Sequence, residues 1–111
     1  MVRIDLTRIP ELRPTGSAIK FIDESRKLWL LIAHTEKHRY VALDQKCTHG
    51  GGPLTYVHKH RMLECTCWGH AQFALDGRIL RWPNSKPGRP VRVHQVALSG
   101  NSLEVRVEGL G

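Results

Sequence analysis

The chain reads Cys47-Thr-His-Gly-Gly-Gly-Pro-Leu54 and, ten residues on, Glu64-Cys-Thr-Cys-Trp-Gly-His70. Each stretch pairs a cysteine with a histidine, as Cys47-x-His49 and as Cys67-x-x-His70, with 17 residues between His49 and Cys67. Thiolate sulfur and imidazole nitrogen are metal ligands, so two such pairs on one short chain describe a four-donor site. Two metals suit that set. Zinc takes two thiolates and two imidazoles in a closed tetrahedron. A [2Fe–2S] cluster takes the thiolates on one iron and the imidazoles on the other. The second stretch holds one thiol too many, because Cys65 precedes Cys67 by two residues.

Outward from these two stretches the pattern is that of strands. Val2 to Ile9 alternates apolar and polar residues until Pro10, Pro14 and Gly16 interrupt it. Ser17–Ile22, Leu28–His34 and Tyr40–Leu43 are further strand candidates, separated by the polar turns Asp23–Lys27 and Thr35–Arg39. From Asp44 to Pro90 the chain becomes loop-rich and carries all three cysteines. Arg61–Cys65 is a short strand signal within it, and Phe73–Leu80 is another, turning at Asp76-Gly77. Val91–Leu98, a Ser99-Gly100-Asn101 turn and Leu103–Val107 read as a closing hairpin. Neither a sequence repeat nor an amphipathic helix stands out. The expected fold is all-β, an antiparallel sandwich or small barrel with a loop-rich insertion at about 44–90 and the remainder as its base, in one domain spanning 1–111.

Bulk properties narrow the function classes. At 111 residues the chain is one small domain, able to bury roughly 60–70% of its unfolded surface. The longest apolar run, Leu28 to Ala33, is six residues, far below a membrane span. Three cysteines, two of them next-but-one, argue for a metal site over a disulfide framework, and the expected location is the cytoplasm. The net charge of +7 comes from scattered lysines and arginines with few aromatics between them, a pattern that disfavours nucleic acid and suits an acidic protein partner. Cys47 beside His49 could imitate a thiol catalyst. A matching second pair makes ligation the better account. His58 and His60 flank Lys59 in a polar loop, and His34, His38 and His94 lack partners at ligand spacing, so these five are read as structural or solvated.

The two stretches, with Ala71–Pro83 after the second, resemble the cluster-binding boxes of Rieske iron–sulfur domains, and the flanking strands fit that family from Ile4 to Val107. The spacing and Pro83 do not suit a zinc finger with its following helix. The resemblance implies a [2Fe–2S] cluster with Cys47 and Cys67 on the inner iron and His49 and His70 on the outer one. It also implies a one-electron carrier between protein redox partners, such as an oxygenase ferredoxin, that is not itself an enzyme. Gly50, Gly51 and Gly52 would let the backbone approach the bridging sulfides, and Pro53 would stiffen the exit of that loop. Trp68 would pack beside the cluster or join a docking face. A zinc-binding or cluster-less structural module is the alternative.

The chain departs from the family pattern around its spare thiol. The family's second box reads Cys-Pro-x-His-Gly, with a phenylalanine four residues after the histidine, whereas here Ala71 follows His70 and Phe73 comes three residues after it. Leu63-Glu64-Cys65 looks like the family's strand exit, but choosing Cys65 would put Trp68 where the histidine belongs, and an indole is no ligand here. Cys67, which keeps the two-residue gap to His70, is the expected second thiolate, and Cys65, which needs a four-residue gap, is the alternative. Gly52 stands where high-potential members carry a bracing cysteine, and Ala71 where a hydroxyl commonly follows the histidine. With fewer donors to the cluster, its potential is expected towards the low end of the range of about −150 to +300 mV. A potentiometric titration checks this, and a midpoint near the top of that range would refute it.

Overall fold

Leu28-Trp-Leu-Leu-Ile-Ala33 is a continuous apolar run because the strand it belongs to is buried on both faces. Successive side chains point to opposite sides of a strand. Leu28, Leu30 and Ile32 accordingly enter one core, and Leu31 and Ala33 enter another. The computed structural model describes residues 2–45, 54–65, 71–82 and 90–106. Its strands are β1 (Val2–Asp5), β2 (Ala18–Asp23), β3 (Leu28–Glu36), β4 (Arg39–Asp44), β5 (Leu54–Val57), β6 (Met62–Cys65), β7 (Gln72–Ala74), β8 (Ile79–Arg81), β9 (Val93–Ser99) and β10 (Ser102–Arg106). The fold is all-β and antiparallel, as expected.

Two sheets are present, one of six strands in the order β1-β10-β9-β4-β3-β2 and one of four in the order β5-β6-β7-β8. The six-stranded sheet encloses Val2, Ile4, Leu12, Leu30, Ile32, Ala42, Leu103 and Val105. The second core, between the two sheets, joins Leu31, Ala33 and Leu43 to Leu54, Leu63, Cys65, Ala71 and Phe73. Strand β3 is thus the shared wall.

The structure corrects two readings of the chain. Val2–Ile9 is not one strand, since β1 stops at Asp5 and two short 3-10 turns follow, Leu6–Arg8 and Pro10–Leu12. The cause is local. The Asp5 carboxylate accepts from the Thr7 backbone N–H at 3.0 Å and from its hydroxyl at 2.6 Å, which turns the chain out of the sheet. Strand β5 was not anticipated either, because four residues are too few to show alternation. The same aspartate device recurs at Asp23, which accepts from Ser25 and from the Arg26 N–H, and at Asp76, which accepts from the Arg78 N–H. The hydroxyl of Thr7, the hydroxyl of Ser25 and the amide of Arg78 each hold the matching carboxyl below its ordinary range.

Glycines fix two of the turns for different reasons. Gly77, in the β7–β8 turn, has φ +88° and lies against the chain entering β9, where an added Cβ would meet the Val91 carbonyl oxygen at 2.2 Å. Gly100, in the β9–β10 turn, has φ +58° and open space around it. Gly77→Ala is expected to cost roughly 3 kcal/mol or more, combining strain with a backbone clash. Gly100→Ala should cost only about 1–2 kcal/mol, the left-handed penalty alone. Chemical denaturation of the two variants side by side measures the difference.

Candidate metal centre

The expected ligands Cys47, His49, Cys67 and His70, together with Gly50, Gly51, Gly52, Pro53 and Trp68, lie outside the described residues. The structure does describe the points at which their segments leave and rejoin the fold. The first segment is closed at its base, where the Leu54 N–H donates to the Gln45 carbonyl at 2.8 Å. The second is closed where the Cys65 N–H donates to the Ala71 carbonyl at 2.8 Å. Leu54 and Cys65 are themselves direct partners across β5 and β6. The first cysteine–histidine segment therefore ends, and the second begins, at directly paired positions of β5 and β6.

Both anchor points are set in packed apolar side chains. Leu54, Leu63, Cys65, Ala71 and Phe73 are fully buried, and Val91 and Tyr56 are nearly so. Leu54, Leu63 and Phe73 are large residues whose burial contributes about 1.5–3 kcal/mol each. Phe73 also meets Trp82 edge to face, with ring centroids 6.3 Å apart. That contact ties the second anchor to the end of β8. Cys65 is fully buried among these side chains.

The approach to the first segment is braced by charge. Asp44 ends β4, three residues before Cys47. Its Oδ1 accepts from the buried His94 Nε2 at 2.8 Å, and Arg92 Nε lies 3.6 Å from Oδ2. The Asp44 N–H donates to the Arg92 carbonyl at 2.9 Å, and the Gln45 N–H to that of Trp29 at 2.9 Å. Motif spacing missed this brace, since Asp44 and His94 are 50 residues apart. The available signal was a histidine at an inward position of an alternating strand.

The other histidines divide as the sequence suggested, with more partners than it revealed. His34 is buried, His38 and His60 are exposed, and His58 is half-buried. The Tyr56 hydroxyl and His58 Nδ1 are hydrogen-bonded at 2.9 Å. The same imidazole occupies the space in which a Cβ on Gly16 would stand, 2.9 Å from its Cδ2. Among the described residues no three of His, Cys, Asp and Glu gather as a metal site. Among them, too, no helix is long and apolar enough to cross a membrane. The surface is dominated by arginine, and Asp5, Asp23, Glu36, Asp44, Asp76 and Glu104 each have an arginine beside them.

The donor chemistry fits a histidine- and cysteine-ligated cluster, for which two thiolates and two imidazoles are the set required. Comparison with known proteins agrees. The family model described as the Rieske [2Fe-2S] domain matches residues 6–105. No curated protein matches the chain in sequence. Among solved structures it is similar to the cyanobacterial plasma membrane Rieske protein PetC3 from Synechocystis PCC 6803, with a TM-score of 0.71 and 20% identity over 96% of this chain and 100% of that one. It is likewise similar to the ferredoxin of carbazole 1,9a-dioxygenase from Nocardioides aromaticivorans IC177, with a TM-score of 0.73 and 17% identity over 95% of each chain. At such identities the likeness is one of fold. The match over most of the chain, on a fold that brings the bases of both cysteine–histidine segments together, makes this protein a member of the Rieske [2Fe–2S] domain family, and the [2Fe–2S] cluster is its cofactor.

Proposed function

We propose that the chain is a one-electron carrier that docks in turn with two protein partners, as the ferredoxin component of an oxygenase system does. The observation that carries this reading is the Leu54–Cys65 pairing, which gives both cysteine–histidine segments a common base within a chain of Rieske type. In this proposal Cys47 and Cys67 hold the inner iron, His49 and His70 hold the outer one, and about 44–90 is the cluster-binding subdomain. When bound, the cluster supplies a centre that takes up and returns a single electron.

The chain's own residues hold that centre in place and shape the approach to it. Asp44, fixed by His94 and Arg92, and Gln45, bonded to Trp29 and Leu54, keep the first segment's base from moving. Small movement matters for a carrier, because a rigid frame lets an electron arrive without rearranging the protein. Docking asks for a charged face more than for a substrate pocket. Local arginine partners offset much of the acidic charge, so the net +7 stands as basic surface and favours a partner with an acidic one.

One observation favours a different second thiolate. Cys65 closes β6, fully buried and directly paired with Leu54, at the base shared by both segments. Electron paramagnetic resonance of the dithionite-reduced protein tests function and ligation together. The expected spectrum is rhombic, with the low average g of histidine-ligated [2Fe–2S] centres. Cys67→Ser should abolish it and Cys65→Ser should preserve it. The reverse pattern would transfer the ligand role to Cys65 and leave the carrier reading intact. A colourless protein that retains zinc, and stays silent after anaerobic reconstitution with iron and sulfide, would sink the carrier reading itself.

A further inference from the structure

A cavity of about 460 Å³ opens at the tip of the β3–β4 hairpin, away from the cysteine–histidine segments. Arg13, Thr15, Lys37 and His38 line it, with His34 and Tyr40 also in its wall. Among the described residues no carboxylate does. The nearest acids in sequence are engaged elsewhere. Glu36 is bonded to Arg61 and lies 4.0 Å from Arg39, while Asp5 accepts from Thr7 and lies 3.9 Å from Arg8. Arg13 and Lys37 are exposed and have no ion-pair partner among the described residues.

His34 contributes the unusual feature. It is only 7% exposed, and its Nδ1 lies 2.9 Å from the Leu12 carbonyl oxygen. A carbonyl only accepts, so Nδ1 carries the hydrogen, and in the neutral ring Nε2 presents a bare lone pair. That Nε2 is buried and has no hydrogen-bond partner. Buried polar atoms are nearly always satisfied, so one that is not calls for a missing partner. The Tyr40 ring stacks on the imidazole, with centroids 4.3 Å apart, and Tyr40 is itself half-buried.

We infer that this cavity binds a small oxyanion that keeps a hydroxyl at mildly alkaline pH, the chemistry of monohydrogen phosphate. Arg13 and Lys37 meet the anionic oxygens, and the hydroxyl donates to His34 Nε2. Nε2 is sealed from solvent in the free chain, so the cavity wall beside it opens locally on binding. The site is separate from the cluster. Tyr40 and Asp44 are the two ends of a strand segment about 13 Å long, with the cavity at the first and the metal segments beyond the second.

Isothermal titration calorimetry of the cluster-loaded protein at mildly alkaline pH tests this, with inorganic phosphate, methyl phosphate and sulfate as probes. Sulfate has the same shape and charge as monohydrogen phosphate but no hydroxyl. The expected result is saturable binding of phosphate, with sulfate weaker by roughly tenfold. Arg13→Ala and Lys37→Ala, both at exposed positions, should each weaken phosphate binding by roughly tenfold without moving the unfolding midpoint. Methyl phosphate, at this pH a dianion without a hydroxyl, should bind as weakly as sulfate, and affinity equal to that of phosphate would overturn the proposal. The imidazole nitrogen resonances of His34 should move with phosphate and not with sulfate. Equal affinity for phosphate and sulfate, phosphate binding unchanged in both variants, or no saturation would each overturn the proposal.

Discussion

Strand β3 has no side that faces water along its central stretch, and the rest of the molecule is arranged around that constraint. Leu30 and Ile32 need cover on one face, and Leu31 and Ala33 need it on the other. The six-stranded sheet supplies the first by curling over its own inner residues, with Leu12 from the second 3-10 turn completing the seal. The second cover must come from elsewhere in the chain. The four-stranded sheet provides it through Leu54, Leu63 and Phe73. Folding the small sheet onto β3 thus satisfies an apolar demand and, in the same act, fixes where the cysteine–histidine segments emerge.

That coupling explains how the small sheet stands on short strands. Strands of three or four residues would be marginal alone. Here each is held by its neighbour and by the core beneath. The bases of the metal segments are pinned by main-chain hydrogen bonds at Leu54 and Cys65, which any side chain at those positions could make. Side-chain identity is needed at fewer places: Phe73 against Trp82, and the Asp44–His94–Arg92 brace.

Much of this was legible in the chain because it is local. The Asp76-Gly77 and Ser99-Gly100-Asn101 turns carry their chemistry in adjacent residues, and both hairpins form there. The doubly buried β3 announces itself as an unbroken apolar run. The cysteine–histidine spacing pointed to the family that the comparisons bear out. What escaped notice is non-local or competes with a local pattern. Val2–Ile9 alternates well enough to read as one strand, yet the Asp5 side chain diverts it. His94 looks unremarkable until Asp44, 50 residues away, is brought beside it. The need for glycine at Gly77 comes from the Val91 carbonyl, and no turn rule contains that contact. The choice between Cys65 and Cys67 is undecided by spacing for the same reason, since it depends on where β6 ends.

The small sheet also bears on the order of assembly. Its strand ladder and the core beneath it are closed by protein groups alone, from Leu54 and Tyr56 through Phe73 to Val91. A zinc finger gathers its fold around the ion and has no folded state before the ion arrives. This chain has a framework that can form first and receive iron and sulfide afterwards. Polypeptide folding and cofactor delivery can then be separate stages of biogenesis, with the cysteine–histidine segments held on adjoining roots.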